Sequence, residues 1–470
     1  MIKFTLLATD ALFFGLLIVA ACYARYAAKR EHLRAPWREV SRHSLGMAAA
    51  VVLLAFLTIA VLDSIHFYPR LAAVESADGE VQYASESISV FDHLAGPLRT
   101  QVEKTYSAPF ALYAFSKETI ERDDGSTVRD YPRLRYGGAH LADTSQRAGD
   151  IARRAGVGFV CAIALWFAFV TLVAYRHARR RGVAVGVLLR GIPGGEAAAP
   201  VPALLAVTAA LSVLVGLAVA LAPHYHIFGT DKVGIDVFYQ SLKSIRTGLI
   251  IGTLTTLVML PFAIILGVAA GYFRGWIDDV IQYLYTTLSS IPGVLLIASA
   301  ALILDVYMSK NAADFTSLAA RADLRLLALC VILGITSWTG LCRLLRGETL
   351  KLREIDFVEA ARAFGVRHST IIAKHMVPNI MHIVMISIVL DFSGLVLAEA
   401  VLSYINIGVD PSMESWGNMI NSARLELARE PVVWWSLMAA FTFMFVLVLA
   451  ANLFADAVRD AFDPRLRVVS

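Results

Sequence analysis

The sequence predicts an all-α polytopic membrane protein, and three observations support this fold class. Of the 470 residues, 57% are hydrophobic and only 17% are charged, whereas soluble domains carry about 25% charged residues. The mean hydropathy is +0.64. Apolar runs of about 20 residues, the length that crosses a bilayer as a helix, recur along the chain. This composition excludes a disordered chain, a disulfide-stabilised scaffold and a nucleic-acid-binding arm.

About nine apolar segments are predicted to span the membrane, three in the N-terminal part and six in the C-terminal part. Their predicted limits are 5–24, 44–64, 155–175, 203–222, 248–271, 279–304, 324–345, 379–403 and 432–455. Pro261 and Pro292 fall inside two of these segments. Both are predicted kink sites, because proline has no backbone N–H to donate and its ring crowds the preceding turn.

The distribution of positive charge predicts the orientation of these segments, since short loops rich in Lys and Arg face the cytoplasm. The short loops on one predicted side of the membrane hold 22 basic residues, and those on the other side hold 8. The basic set includes loops 25–43 and 343–375 together with the C-terminal tail. We therefore expect the N-terminus outside the cell and the C-terminus in the cytoplasm.

The chain is expected to divide into four parts. They are two helices with a basic cytoplasmic loop, an extracytoplasmic insert, a third helix with a Gly- and Pro-rich cytoplasmic linker, and six further helices. Their limits are 1–64, 65–152, 153–202 and 203–470. In the insert, Asp124-Gly125 predicts a β-hairpin turn, and the apolar side chains between Phe91 and Tyr136 are numerous enough for a small α+β domain with its own core.

Polar residues near or inside the predicted spans are candidates for function. Asp391 and Glu399 lie in the eighth segment, and intramembrane acids often line a pathway. The alternative is that each acid reaches water at the outer membrane surface. His224 and His226 have the spacing to begin a metal site, but no third ligand is evident. The favoured interpretation of this pair is a solvent-exposed loop at the membrane edge.

The loop 346–378 has a pattern typical of a docking element. Its first half carries small and aromatic apolar residues at helical spacing, which predicts a short amphipathic helix with one apolar face. These residues are Phe357, Ala360, Ala361 and Phe364. Gly365 is predicted to end this helix in the left-handed conformation, and a second helical run follows over 369–376. Glu359 offers a carboxylate near the turn. The alternative is a surface helix that only caps the helix bundle.

Five ordered blocks of sequence between residues 203 and 470 match one pattern. In loop 346–378, three residues separate Glu359-Ala360-Ala361 from Gly365. The other blocks are His226 with Gly229-Thr230-Asp231, Gly234 and Asp236; Ser337-Trp338 with Arg343 and Arg346; Gly408 and Pro411 with Trp416-Gly417; and Arg459-Asp460 with Asp463-Pro464-Arg465. The pattern resembles the permeases of binding-protein-dependent ABC importers of the dipeptide/oligopeptide type, specifically their C-type subunit. Glu359-Ala360-Ala361 corresponds to the EAA motif of that family.

Two positions depart from the family pattern, and one region is not covered by it. Ile235 stands where the family usually has Arg, which weakens the case for a salt bridge there. His375 stands where the broader EAA pattern has Ile, although the peptide subfamily often carries His. Residues 1–202 lie outside the matching blocks, so the resemblance assigns no role to them.

The resemblance implies a six-helix ABC importer permease core that pairs with a homologous B-type permease subunit in a bacterial inner membrane. Two ATPase subunits, which carry ATP and Mg²⁺, would each grip one EAA loop, and an extracytoplasmic binding protein would deliver substrate. This chain itself would bind no cofactor, contact membrane lipid but no nucleic acid, and perform no catalysis. The residues implied in ATPase coupling are Phe357, Glu359, Ala360, Ala361, Phe364 and Gly365. The implied extracytoplasmic motif is Gly229, Thr230, Asp231, Asp236, Trp416 and Gly417.

Several interpretations remain open at the level of sequence. The same scaffold is similar to permeases for nickel, haem, oligosaccharides or antimicrobial peptides. Asp391, Glu399 and Pro292 are candidates for pathway lining or gating. An intramembrane enzyme that uses the two acids or the histidine pair is a less favoured alternative, and a structural anchor built on residues 1–202 is another. The insert is expected either to help seat the binding protein or to be a passive insertion.

Overall fold

The computed structural model describes residues 3–70, 83–84, 86–121, 127–181, 200–311 and 317–462, and the chain within these ranges is mostly helical. The N-terminal helices are α1 (Ala8–Lys29), α2 (Glu31–Val40), α3 (Ser44–Asp63), α4 (Val90–Leu94), α5 (Gly96–Thr100) and α6 (Arg147–Arg181). The later helices are α7 (Val201–Leu221), α8 (Val237–Phe273), α9 (Trp276–Ser290), α10 (Gly293–Lys310), α11 (Leu318–Arg353), α12 (Asp356–Ala363), α13 (His368–Ile371), α14 (Val377–Tyr404), α15 (Trp416–Glu426) and α16 (Trp435–Phe462).

The described secondary structure also includes a 3₁₀ turn (Thr144–Gln146), a π-helical turn (Ile372–Met376) and short strands. The strands are β1 (Lys3–Thr5), β2 (His66–Tyr68), β3 (Ile88–Ser89), β4 (Glu118–Glu121) and β5 (Thr127–Asp130). β2 lies between β1 and β3, and both pairings are antiparallel. β4 pairs with β5 in the register Ile120↔Val128, which confirms the predicted hairpin. The turn residues Asp124 and Gly125 lie outside the described residues.

The chain folds into two compact units. Unit 1 comprises Met1–Thr5, Arg38–Arg246 and Glu414–Ala450, and unit 2 comprises Leu6–Trp37, Thr247–Met413 and Ala451–Ser470. Each unit therefore combines residues from the N-terminal part, before position 203, with residues from the predicted six-helix part.

In unit 1, helices α6 and α7 approach each other closely through small residues. A Cβ atom added to Gly158 would lie 2.7 Å from the carbonyl oxygen of Gly216, and one added to Gly216 would lie 2.5 Å from the Cβ of Ala162. Small residues spaced by four let helix backbones come into contact in a membrane, where lipid tails compete for every larger apolar surface. This contact fixes the third N-terminal helix against the first helix of the predicted core.

Two buried apolar clusters of the insert are shared with its neighbours, which differs from the expected self-contained core. Phe91 and Leu98 pack with Ala222 and Tyr239. Leu112 and Leu141 of the insert pack with Leu221 and Tyr225. The apolar residues are buried, as predicted, but the buried side chains that cover them come from the end of α7, the loop after it and the start of α8.

In unit 2, α8 crosses α11 at a pair of glycines. A Cβ on Gly267 would lie 2.8 Å from the carbonyl oxygen of Cys342, and one on Gly271 would lie 2.6 Å from the Cβ of Thr349. The two helices line a buried cluster that includes Met259, Trp338, Leu341, Cys342, Leu345, Val358, Ile371 and Met376. Because Val358 and Ile371 belong to loop 346–378, this cluster anchors that loop to the ends of the long helices.

Eight described helices are long and apolar enough to cross a membrane, fewer than the nine segments predicted. Segment 279–304 is wrong as a single helix: it forms α9 and α10, which are separated at Ile291 and Pro292. Ile291 is extended, with ψ 131°, because a proline ring disfavours the helical conformation of the preceding residue. The eight do not include α11, the 36-residue helix that contains segment 324–345. Pro261 lies inside the continuous helix α8.

The α6–α7 contact gives a testable prediction with an internal control. Gly158→Leu should destabilise unit 1 by about 1–3 kcal/mol, because the new side chain would overlap the backbone of α7. Gly156→Leu, two residues earlier on the same helix, should be neutral, since nothing lies within 4 Å of its Cβ position. Thermal unfolding of each full-length variant in detergent measures the difference. Equal unfolding temperatures for the two variants would contradict the close contact.

Candidate functional site

The EAA loop, residues 346–378, contains the end of α11, the short helix α12, a turn at Gly365 and a helical run that begins at His368 and continues through a π-helical turn at Ile372–Met376 into α14. α12 ends at Ala363, and Gly365 follows with φ +73°, as predicted. The N–H of Val366 donates to the carbonyl of Ala361 at 3.1 Å, and the N–H of Gly365 donates to the carbonyl of Arg362 at 3.0 Å. These two bonds form a Schellman motif, which satisfies the last carbonyls of the helix. The turn therefore has a defined angle.

The predicted apolar face of α12 divides into a packed part and an exposed part. Val358 is fully buried, and Ala361 packs beside it in the cluster at the ends of α8 and α11. The side chains of Phe357 and Phe364 are 44% and 87% exposed, and Ala360 is also exposed. The anchoring residue is therefore Val358, which the sequence pattern did not single out. The two phenylalanines remain available at the surface.

Polar groups surround the Gly365 turn. A concave surface there is lined by Glu359, Arg362, Ala363, Gly365, Val366, Arg367 and His368. It presents one carboxylate and two guanidinium groups together with the apolar side chains of Ala363 and Val366. A surface of this mixed character suits a protein partner better than a small apolar ligand.

Specific contacts connect the EAA loop to the long helices of unit 2. The hydroxyl of Tyr272, at the end of α8, lies 2.8 Å from Nδ1 of His368. Arg274 forms an ion pair with Glu354. Arg346 of α11 binds both carboxylate oxygens of Asp278 in α9, at 2.6 and 2.7 Å. A displacement of the loop would therefore be transmitted to the ends of α8, α9 and α11. The helices α11 and α9 also share a cation–π contact, since the Arg343 guanidinium lies 5.3 Å from the ring centre of Tyr285.

A second group of predicted residues lies in unit 1, in residues 224–236, which we call the GTD loop. Thr230 is fully buried and holds this loop against the insert. Its hydroxyl donates to the carbonyl of Thr105 at 2.8 Å and accepts the N–H of Ser107 at 2.7 Å. Its own N–H donates to the carbonyl of Ser107, and its carbonyl accepts the indole N–H of Trp435 at 2.9 Å. Thr230 thus joins the loop, the insert and the start of α16.

The glycines and aspartates of the GTD loop shape its backbone. Gly229 and Gly234 have φ values of +69° and +81°, and a Cβ on Gly234 would lie 1.8 Å from the carbonyl oxygen of Glu103. Asp231 accepts two N–H groups of its own turn, from Val233 and Ile235, at 2.9 Å each. Asp236 caps α8 by accepting the N–H groups of its second and third residues, at 2.8 and 3.1 Å. Each side chain therefore has a structural partner within unit 1.

His226 lies buried between two carboxylates, so the expected exposed loop is wrong for this residue. Its Nδ1 lies 2.7 Å from Asp236, and its Nε2 lies 3.4 Å from Glu103 of the insert. Glu103 also accepts three backbone N–H groups of the insert, from residues 135–137. Burial alone would lower the pKa of His226, but hydrogen bonds to Asp236 and Glu103 raise it to about 9. Burial would raise the pKa of Glu103, but its hydrogen bonds lower it to about 2.

An ionic cluster that the sequence did not reveal ties the N-terminal part to α8. Nζ of Lys243 lies 2.6 Å from Asp92 of the insert and 3.7 Å from Asp63 at the end of α3. Ser89 donates to Asp63 at 2.7 Å, and Tyr239 donates to Asp92 at 2.6 Å. Burial would raise the pKa of Asp92, but Lys243 and these hydrogen bonds lower it to about 2. The acids lie more than 140 residues from Lys243, which is why no local pattern marks the cluster.

The remaining candidates occupy separate places. Trp416 is buried and donates its indole N–H to the carbonyl of Ser241 at 3.1 Å, and Gly417 is buried beside it on α15. Glu399 is 1% exposed and accepts the hydroxyl of Ser403 at 2.7 Å. Asp391 is partly exposed and lies two helical turns earlier on α14. Pro292 caps the start of α10.

The two candidate acids of α14 do not lie side by side. Asp391 and Glu399 are about 12 Å apart along the helix axis, at a rise of 1.5 Å per residue. Among the described residues, no group of three His, Cys, Asp or Glu side chains has the geometry to hold a metal ion.

Comparisons with known proteins agree with these motifs. A family model described as "Binding-protein-dependent transport system inner membrane component" matches residues 263–468. The chain is 31% identical over 244 residues to the glutathione transport system permease protein GsiD of Pectobacterium atrosepticum, which covers 52% of this chain and 73% of that protein.

Two further relatives are similar over the same share of the chain. The oligopeptide transport system permease protein OppC of Haemophilus influenzae is 30% identical over 243 residues, which covers 52% of this chain and 71% of that protein. The dipeptide transport system permease protein DppC of Bacillus subtilis is 29% identical over 242 residues. The match covers 52% of this chain and 69% of that protein.

The contacts of buried His226 with Asp236 and Glu103 predict how the stability of unit 1 depends on pH. Because the folded-state pKa is raised from 6.5 to about 9, the protonated histidine should stabilise unit 1 fully below pH 6.5. That contribution, of up to about 3 kcal/mol, should disappear as the pH rises through 9. The unfolding temperature of the wild type should therefore fall over this range, and His226→Gln should start lower and lack this fall. His93→Gln, an exposed histidine of the same insert, should behave as wild type. A parallel pH profile for His226→Gln and wild type would refute the assignment.

Proposed function

Because this chain belongs to the family of binding-protein-dependent transport system inner membrane components, we propose that it is a permease subunit of an ATP-driven importer of short peptides. The relatives reported above are named for the transport of glutathione, dipeptides and oligopeptides, and the five sequence blocks point to the same subfamily. In this proposal the chain forms half of the pathway, and a homologous B-type permease forms the other half.

The observation that carries the coupling role is the form of the EAA loop. Val358 and Ile371 are fully buried at the ends of α8 and α11. On the other side, Phe357, Ala360 and Phe364 are exposed. A partner that grips the exposed side would pull on a hairpin whose opposite side is packed into the helix bundle. Packed elements move as bodies, so the pull would reach the long helices as a tilt.

In this proposal the partners are those that the resemblance to the family implies. Two ATPase subunits bind ATP and Mg²⁺, hydrolyse ATP and each grip one EAA loop, while this chain performs no catalysis and needs no cofactor. An extracytoplasmic binding protein delivers the peptide, and the insert helps to seat it. The supporting feature is that the insert shares Thr230 and His226 contacts with the GTD loop rather than standing apart from it.

The chain is a multi-pass membrane protein, and we place it in the bacterial inner membrane with the EAA loop in the cytoplasm. The basic loops support this orientation. In addition, β1 pairs with β2, the strand that follows α3. The N-terminal strand and the start of the insert therefore share one side of the membrane, which is the outside in this proposal.

The coupling role predicts that surface changes in the EAA loop separate ATP hydrolysis from uptake. Phe364→Ala removes an exposed ring, so the protein should remain folded while peptide uptake falls about tenfold or more, the size expected for an interface anchor. Glu359→Lys should act similarly. Leu425→Ala, which also truncates an exposed apolar side chain, should leave uptake unchanged. Peptide uptake and ATPase activity are measured for each variant in proteoliposomes.

The turn offers a second test of coupling with a matched control. Gly365→Val should uncouple transport, because a β-branched residue at φ +73° costs about 1–2 kcal/mol and re-aims the hairpin. Gly365→Asn should retain most activity, since Asn tolerates the left-handed conformation. Wild-type uptake by Gly365→Val and Phe364→Ala at normal abundance would disprove docking through this loop.

The orientation predicts opposite accessibility for two exposed serines. In a chain whose four native cysteines are replaced by Ser, Ser116→Cys of the insert should react with an impermeant thiol reagent added outside intact cells. Ser369→Cys of the EAA loop should react only after the membrane is permeabilised. Reaction of both from the outside would show that the positive-inside count misassigns the loops.

A further inference from the structure

The end of α1 carries a concentrated positive surface, which we call the basic patch. It consists of Arg25, Lys29, Arg30 and Arg34, and all four side chains are exposed. α1 ends at Lys29, the chain turns through Arg30 in an extended conformation, and α2 begins at Glu31. The turn gathers four cations within ten residues, with Glu31 as the only acidic residue among them.

The exposed residues of α1 follow the order of layers in a bilayer. Ile18 and Val19 are each 64% exposed apolar side chains. Tyr23 and Tyr26 come next, at the position where aromatic residues favour the boundary between hydrocarbon and headgroups. The basic patch begins with Arg25, between the two tyrosines, and continues after them to Arg34. One continuous, exposed stretch thus passes from apolar to aromatic to cationic, which is the order of layers that a span meets on leaving the hydrocarbon.

The cations of the patch have no protein counter-charge in the described structure. None of the four takes part in an ion pair with a described carboxylate, whereas Arg42 nearby pairs with Glu39. The Arg30 guanidinium lies 4.8 Å from the ring centre of Tyr26, which holds it beside the aromatic layer. Trp37 of α2 packs edge to face on Phe462, with ring centres 5.5 Å apart. This contact fixes α2 to the end of α16, while Arg34 of the same helix is exposed.

We propose that the basic patch binds the phosphate headgroups of anionic phospholipids. Unpaired cations next to a membrane-spanning helix attract anionic lipids, and each Lys or Arg adds to the affinity. The occupant is a lipid rather than a soluble anion because the patch continues the lipid-exposed surface of α1 and lies directly after its tyrosines. The site belongs to the N-terminal part of the chain, so it does not depend on the proposed peptide specificity or on the EAA loop.

The test measures lipid preference of the full-length chain. The purified protein is equilibrated with phosphatidylglycerol and phosphatidylcholine of identical acyl chains, and the retained lipids are counted by native mass spectrometry. The wild type should retain phosphatidylglycerol in preference to phosphatidylcholine, and the preference should weaken as salt screens the charges. The variant R25Q/K29Q/R30Q/R34Q should lose about tenfold or more of this preference.

Two control variants separate the effect of the basic patch from effects of net charge and of misfolding. K117Q/R129Q/K232Q/K310Q removes the same number of exposed positive charges elsewhere and should keep the wild-type preference. R25K/R30K/R34K retains the charge and should also keep it, which separates charge from folding effects. If the wild type shows no preference, or the patch variant retains it, the proposal fails. Equal losses in the patch variant and the distributed variant would also overturn it, since the effect would then be one of net charge.

Discussion

The fold depends on one constraint: inside a bilayer no water is present, so every backbone N–H and C=O must be satisfied by the protein itself. Long uninterrupted helices such as α8 and α16 meet this requirement. Where the chain leaves the helical conformation, the structure supplies other partners. The same accounting applies to buried backbone outside the predicted spans. In the GTD loop, backbone groups bond to Ser107, Glu103 and the side chain of Asp231.

The same constraint leaves helix association to close packing and to polar contacts at helix ends. Gly158 meets Gly216 where α6 contacts α7, and Gly267 and Gly271 of α8 lie against α11. These small residues let the backbones approach closely, whereas larger apolar side chains would pack equally well against lipid. At the ends, Lys243 and Arg346 bind carboxylates from neighbouring elements. These ion pairs are partly buried, so removing one partner would leave a costly unpaired charge. They fix the geometry of the elements that the proposed transport cycle would move.

Local patterns in the sequence predicted the features that depend on a few neighbouring residues. The apolar runs, the Gly365 turn and the hairpin strands all follow from such patterns. Features formed by distant residues were not predictable, because one sequence contains no signal for a pair such as His226 and Glu103, which lie 123 residues apart. The face of α12 was also ambiguous: a helix of eight residues is too short for periodicity to show whether Val358 or Phe357 points inward. The interruption at Ile291 was foreseeable in principle from Pro292, but only as a kink.

The insert shares its buried core and its buried charges with the segments packed against it. Phe91, Leu98 and Leu112 are covered by side chains of α7, α8 and the GTD loop, and the charges of Asp92 and Glu103 are balanced by Lys243 and His226. A fragment cut out at the insert boundaries would expose this apolar surface and strand buried charges in water. The insert therefore depends on the rest of unit 1 for its stability and would not be expected to fold by itself. A substitution at Glu103 or Asp92 would need a matching change at His226 or Lys243 to keep the buried charges balanced.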